Sequence, residues 1–114
     1  MSNSSEPTIL AADQDLALGI PTSKRLASGQ YEVTFQHRPT APAKSVALVG
    51  TFTDWKEHPL AMTGPDARGI YSTTIVLDPG SHEYKFLIDG ETFRHDPGNP
   101  ESAGFFHNSL IRLH

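Results

Sequence analysis

Three acidic residues, Asp89, Glu91 and Asp96, gather in one short stretch of the chain. A pair of carboxylates is the equipment of glycoside hydrolysis, where the two groups stand about 5–10 Å apart on either side of the scissile bond. Nothing in the 89–96 spacing enforces that separation. Asp89 and Asp96 sit in Asp-Gly and Asp-Pro-Gly contexts, where aspartate is a turn former. No catalytic residue is therefore assigned. The six histidines (His37, His58, His82, His95, His107, His114) stand singly, without H-x₃-H spacing, and there is no cysteine. Metal ligation, disulfides and thiolate chemistry are all excluded as readings. Gly50, Gly80 and Gly90 lie at turns or within a strand and form no phosphate-cradling loop, so no cofactor is expected.

What remains suits binding. Trp55, the single tryptophan, falls in the turn-like TDWKEHP rather than in an alternating strand. A lone Trp is commonly folded against a core, and by itself Trp55 reads as a cap on one end of the domain. Its company changes that reading. Lys85 points away from the apolar face of its strand, Phe93 follows a hairpin turn, and Asn108 opens the last strand. An aromatic platform flanked by ammonium and amide groups suits a neutral sugar, whose C–H faces stack on the ring while its hydroxyls hydrogen-bond. Covering one pyranose face buries about 100 Å² of apolar area, worth about 2.5 kcal/mol before association costs. One ring binds feebly on those terms. Several rings with hydrogen bonds reach the range from about 1 mM to 1 μM, so the expected ligand is an oligomer.

Short strands must position these residues. In QYEVTFQH, Tyr31, Val33 and Phe35 share one face. SVALVGTF puts Val46, Leu48 and Phe52 together, and in GIYSTTIVL the alternation runs through Tyr71, Thr73, Ile75 and Leu77. SHEYKFLID places Tyr84, Phe86 and Ile88 opposite Lys85. Pro79-Gly80 and Asp89-Gly90 punctuate as turn and hairpin signals. ETFRH and HNSLIRL supply the last strands, on either side of the loop DPGNPESAG. With no crossover helices, a parallel α/β sheet is excluded, and an all-β sandwich follows.

The chain has 114 residues, enough for one domain with a real core but not for a deep catalytic cleft. Residues 1–28 are poor in aromatics; Ile9 to Ile20 could form a short helix, but its apolar spacing is untidy and a flexible tail or linker is preferred. The sandwich is expected over residues 29–114. Nine basic against thirteen acidic residues give a formal charge of −4, which argues against nucleic acid or an anionic membrane surface as partner. The opening MSNSSEPTILAADQD lacks a basic region followed by an apolar one, so a cytoplasmic protein is expected.

The run VALVGTFTDW, then HEYKFLIDGETFRHDP, then HNSLIRL, resembles the glycogen-binding carbohydrate modules of the early-set class. Such modules occur in the β subunit of AMP-activated protein kinase and beside the catalytic domains of glycogen branching and debranching enzymes. The resemblance implies an immunoglobulin-like sandwich that binds α-1,4-linked glucan (glycogen, starch or maltooligosaccharide) without hydrolysing it. It also implies a partner such as a glycogen-metabolism enzyme or a kinase, targeted to glycogen by the module. By position, Trp55 matches a sugar-stacking tryptophan, Lys85 a lysine that hydrogen-bonds glucose hydroxyls, and Asn108 a sugar-contacting asparagine. Phe93 stands where the kinase-subunit type has its second tryptophan. Thr53 replaces the usual Asn of the first motif, and the DGETF hairpin is one residue longer. GFFH before Asn108 lacks the type's glucan-gripping Leu and Thr, leaving Phe105 or Phe106 as either a substitute contact or a core residue. These departures motivate the alternative reading, an early-set scaffold or protein-interaction domain that has lost sugar binding.

Overall fold

Val33 and Phe35 from one sheet, with Leu48, Tyr84 and Phe86 from another, are fully buried, and the domain is organised around them. The computed structural model describes residues 20–40, 42–103 and 108–114. In chain order the strands are β1 (Thr22–Arg25), β2 (Tyr31–His37), β3 (Val46–Gly50), β4 (Leu60–Ala61), β5 (Tyr71–Leu77), β6 (Gly80–Ile88), β7 (Thr92–Arg94), β8 (Ser102–Ala103) and β9 (Asn108–Leu113). One sheet runs β1-β2-β5 and the other β4-β3-β6-β9-β8, with β7 also on β6. All named pairings are antiparallel. The protein is an all-β sandwich, as the alternation predicts.

The core forms because each strand presents its apolar residues at period two. Phe35 and Tyr84 meet edge to face with centroids 4.9 Å apart, and Tyr84 meets Phe86 the same way at 5.8 Å. His37 is buried too, stacked on Phe86 at 4.4 Å. Its burial continues the face that begins at Tyr31, one position further than the apolar letters reach.

Strand β1 lies within residues 1–28, where the sequence suggests a tail and no strand. Thr22 to Arg25 pair with Thr34 to Tyr31, yet all four are exposed. Such a strand is held by backbone pairing alone and carries no apolar alternation to betray it. Strands β4 and β8 are two residues each, too short for a period to register. Residues 1–19, and with them nearly all of the Ile9–Ile20 helix considered above, lie outside the described residues, as do Phe105 and Phe106.

Strand β6 is the axis of the site. Its Val46–Gly50 partner runs along one side, paired with Ile88 to Tyr84. On the other side, Gly80 to Tyr84 pair with β9, and Phe86 to Ile88 pair with β7. Lys85 sits where that edge passes from β9 to β7.

Candidate functional site

Parity on β6 sets the face. Tyr84 and Phe86 point into the core, so Glu83, Lys85 and Leu87 take the opposite face, where Glu83 and Lys85 are half-buried and Leu87 is covered. Residues directly opposite across a ladder share a face. Phe93 pairs with Leu87, and Leu110 pairs with Glu83, which puts Asn108 on the same side two residues before Leu110. Trp55 arrives from the end of β3. Together Trp55, Lys85, Phe93 and Asn108 line one open groove of about 510 Å³, along with Thr51 and Glu83. Phe93 is exposed at 44%, and Trp55, Lys85 and Asn108 are half-buried.

The segment bearing Trp55 is short and tightly wound. Asp54 and Trp55 both adopt left-handed backbone, at φ 57° and 54°, as the chain enters a single 3₁₀ turn, Trp55–Glu57. Non-glycine residues occupy that region only when their surroundings hold them there. Thr53 is the holder. Its buried hydroxyl accepts from the Gly50 N–H at 3.0 Å and lies 3.1 and 2.9 Å from the carbonyls of Gly50 and Trp55, to either of which it can donate. The residue that departs from the usual Asn therefore ties the Trp55 turn to the end of β3.

Gly50 brings the backbones close. The Thr51 N–H bonds the Glu83 carbonyl at 3.0 Å, and a Cβ at Gly50 would collide with that carbonyl and with the Phe52 ring. At the hairpin, Asp89 and Gly90 both have positive φ, at 54° and 71°. The Asp89 side chain is occupied as well: Oδ1 accepts from the backbone N–H groups of Lys44 and Ser45 at 2.6 and 3.0 Å.

Asp96 is more than a turn former. It is 3% exposed, its Oδ1 accepts from Gly98 N–H at 3.0 Å, and its Oδ2 accepts from the Tyr84 hydroxyl at 2.6 Å. Its own N–H donates to Ser109 Oγ at 2.7 Å. Asn99 donates through Nδ2 to the Tyr84 hydroxyl and to the Leu110 carbonyl. Burial raises the Asp96 carboxyl above its ordinary value, against the lowering effect of the Tyr84 and Gly98 hydrogen bonds and the His95 charge. Burial, then the adjoining Asp96 charge, pushes the Tyr84 phenol well above its own. Both groups face inward and neither lines the groove.

Sequence reasoning overlooked Thr51 and Glu83. The signal for Glu83 was present: it lies two residues before Lys85 on an alternating strand, hence on the same face. Thr51 follows from register, since it lies across from Glu83.

The sequence matches the family described as the glycogen recognition site of AMP-activated protein kinase over residues 31–110. The chain belongs to that family. That glycogen-recognition domain is a non-catalytic carbohydrate-binding module, and residues 31–110 are a module of that kind rather than a catalytic domain. The pig (Sus scrofa) 5'-AMP-activated protein kinase subunit beta-1 is 36% identical over 74 residues, covering 65% of this chain and 56% of the relative. Rice (Oryza sativa) Protein FLOURY ENDOSPERM 6, chloroplastic, is 34% identical over 73 residues, covering 63% of this chain and 13% of the relative. The chain thus spans little more than half of one relative and a small part of the other. Among solved structures, the ferric enterobactin esterase of Salmonella typhimurium superposes with a TM-score of 0.64 at 16% identity, covering 82% of this chain and 34% of the esterase. That likeness shows the fold alone. The expectation of a cytoplasmic protein is overturned by the rice relative, which is named as chloroplastic: a glycogen-recognition module of this kind does not fix its compartment.

Proposed function

We propose that the groove binds α-1,4-linked glucan, stacking sugar rings on Trp55 and Phe93 and bonding their hydroxyls through Lys85 and Asn108. The observation that carries this reading is convergence: four residues from three separate stretches of sequence line one groove. Exposed aromatic surface beside polar groups is costly without a use, and it complements a pyranose. The open shape suits several consecutive rings of a chain. Similarity to a kinase subunit supports a targeting role, in which the module brings a glycogen-metabolism enzyme or a kinase to its polysaccharide.

Native electrophoresis through gels cast with and without glycogen tests the proposal. Glycogen is expected to retard the protein relative to a non-binding standard, and added maltoheptaose to relieve the retardation. Equal mobility in both gels, from folded protein, would leave the alternative of a sandwich that has lost its sugar.

A further inference from the structure

Glu83 lines the groove, and its Oε1 accepts a hydrogen bond from Asn108 Nδ2 at 2.9 Å. A carboxylate offers acceptors only, so the amide must turn its NH₂ end toward it. That bond takes one of the two amide N–H donors and fixes the direction in which the carbonyl oxygen points. We infer that Glu83 is a positioning residue that sets the hydrogen-bonding polarity of Asn108. With its NH₂ end held by Glu83, Asn108 presents Oδ1 to the groove as an acceptor, and so selects a ligand hydroxyl that donates. This inference rests on the glucan reading of the groove.

A purely structural role fits the bridge less well. Glu83 and Asn108 are diagonal neighbours on β6 and β9, and the backbone ladder already registers five residue pairs between those strands, from Gly80–Leu113 to Tyr84–Ser109. Joining the strands does not need the side chains. Orienting an amide that lines the groove does, because an amide has two ends of opposite hydrogen-bonding sense.

Four variants separate these roles: Glu83→Ala, Glu83→Gln, Asn108→Ala and the double alanine variant. Each is titrated with maltoheptaose after circular dichroism establishes that it is folded. Glu83→Ala is expected to weaken binding about two- to tenfold, the worth of one oriented hydrogen bond. The double variant is expected to bind no worse than Asn108→Ala alone, the non-additivity of residues acting as a unit. Glu83→Gln keeps an acceptor and should recover most of the loss. Without any sugar, the side-chain NH₂ resonances of Asn108 should move in Glu83→Ala and return toward wild type in Glu83→Gln. Unmoved Asn108 resonances, or multiplicative losses in the double variant, would overturn the inference. If wild type ignores maltoheptaose, the glucan reading fails, and the sugar-free resonances still decide whether Glu83 holds Asn108.

Discussion

The Tyr84 hydroxyl donates to the Asp96 carboxylate at 2.6 Å in the interior, joining the central strand to the loop that follows β7. That loop runs from Phe93 toward Asn108, the two groove residues on the same edge of β6. Asp96 is bound to Ser109 and Asn99 to Leu110, so the buried cluster also grips β9. The network braces the groove from behind, through backbone rather than by contact with ligand.

Tyr84→Phe removes one hydroxyl and leaves the buried Asp96 carboxylate and the Asn99 amide each short of a partner. The expected cost is about 1–3 kcal/mol of unfolding free energy at neutral pH, read from urea denaturation. A loss below a few tenths would mean that water replaces the hydroxyl without penalty.

Asp96 also gives the fold a pH dependence of defined sign. Its carboxyl is raised in the folded state, chiefly by burial, so the native protein holds that proton more tightly than the unfolded chain. The resulting stability is fully present below the ordinary carboxylate range and is lost as pH rises through the raised value. Asp96→Asn should abolish that part of the slope while leaving the rest of the profile in place. An Asn variant whose stability–pH curve parallels wild type would contradict this assignment.

Thr53→Val keeps the shape of the side chain and deletes the hydroxyl that serves Gly50 and the Trp55 turn. It should lose about 1–3 kcal/mol of stability and weaken glucan binding, with Thr53→Ser restoring much of both. Binding unaffected by Thr53→Val would show that the turn stands without it.

Gly50→Ala tests the close approach of β3 to β6. A methyl group there meets the Phe52 ring and the Glu83 carbonyl, and the carbonyl cannot withdraw without loosening its bond to the Thr51 N–H. Overpacking of this kind costs about 1–3 kcal/mol, and thermal unfolding is the readout. An Ala variant as stable as wild type would show that the strands part at no cost.

Strand 31–37 was legible because it buries one face and alternates throughout. Strands 46–50 and 80–88 show the same core face through Val46, Leu48, Tyr84 and Phe86, although Val49 and Leu87 are buried on the opposite face. Lys85 could be set on the outer face by counting from Tyr84. The groove could not be, because its assembly depends on cross-strand register between Phe93 and Leu87 and between Leu110 and Glu83, which no single strand encodes. The Tyr84–Asp96 bond was hidden for a different reason. Tyr84 reads as one more core residue and Asp96 as a turn former, and each description holds for part of the residue only. Strand β1 escaped because TSKR buries nothing.

The central claim is that Trp55 stacks on glucan, and the single tryptophan makes it directly measurable. Titrating the folded protein with maltoheptaose while following tryptophan emission should give a saturable change with a dissociation constant between about 1 mM and 1 μM. Trp55→Ala, half-exposed and outside the core, should weaken binding at least tenfold by an independent heat measurement while keeping a melting temperature close to wild type. No emission change at millimolar sugar, or a Trp55→Ala variant that binds as wild type does, would contradict the account.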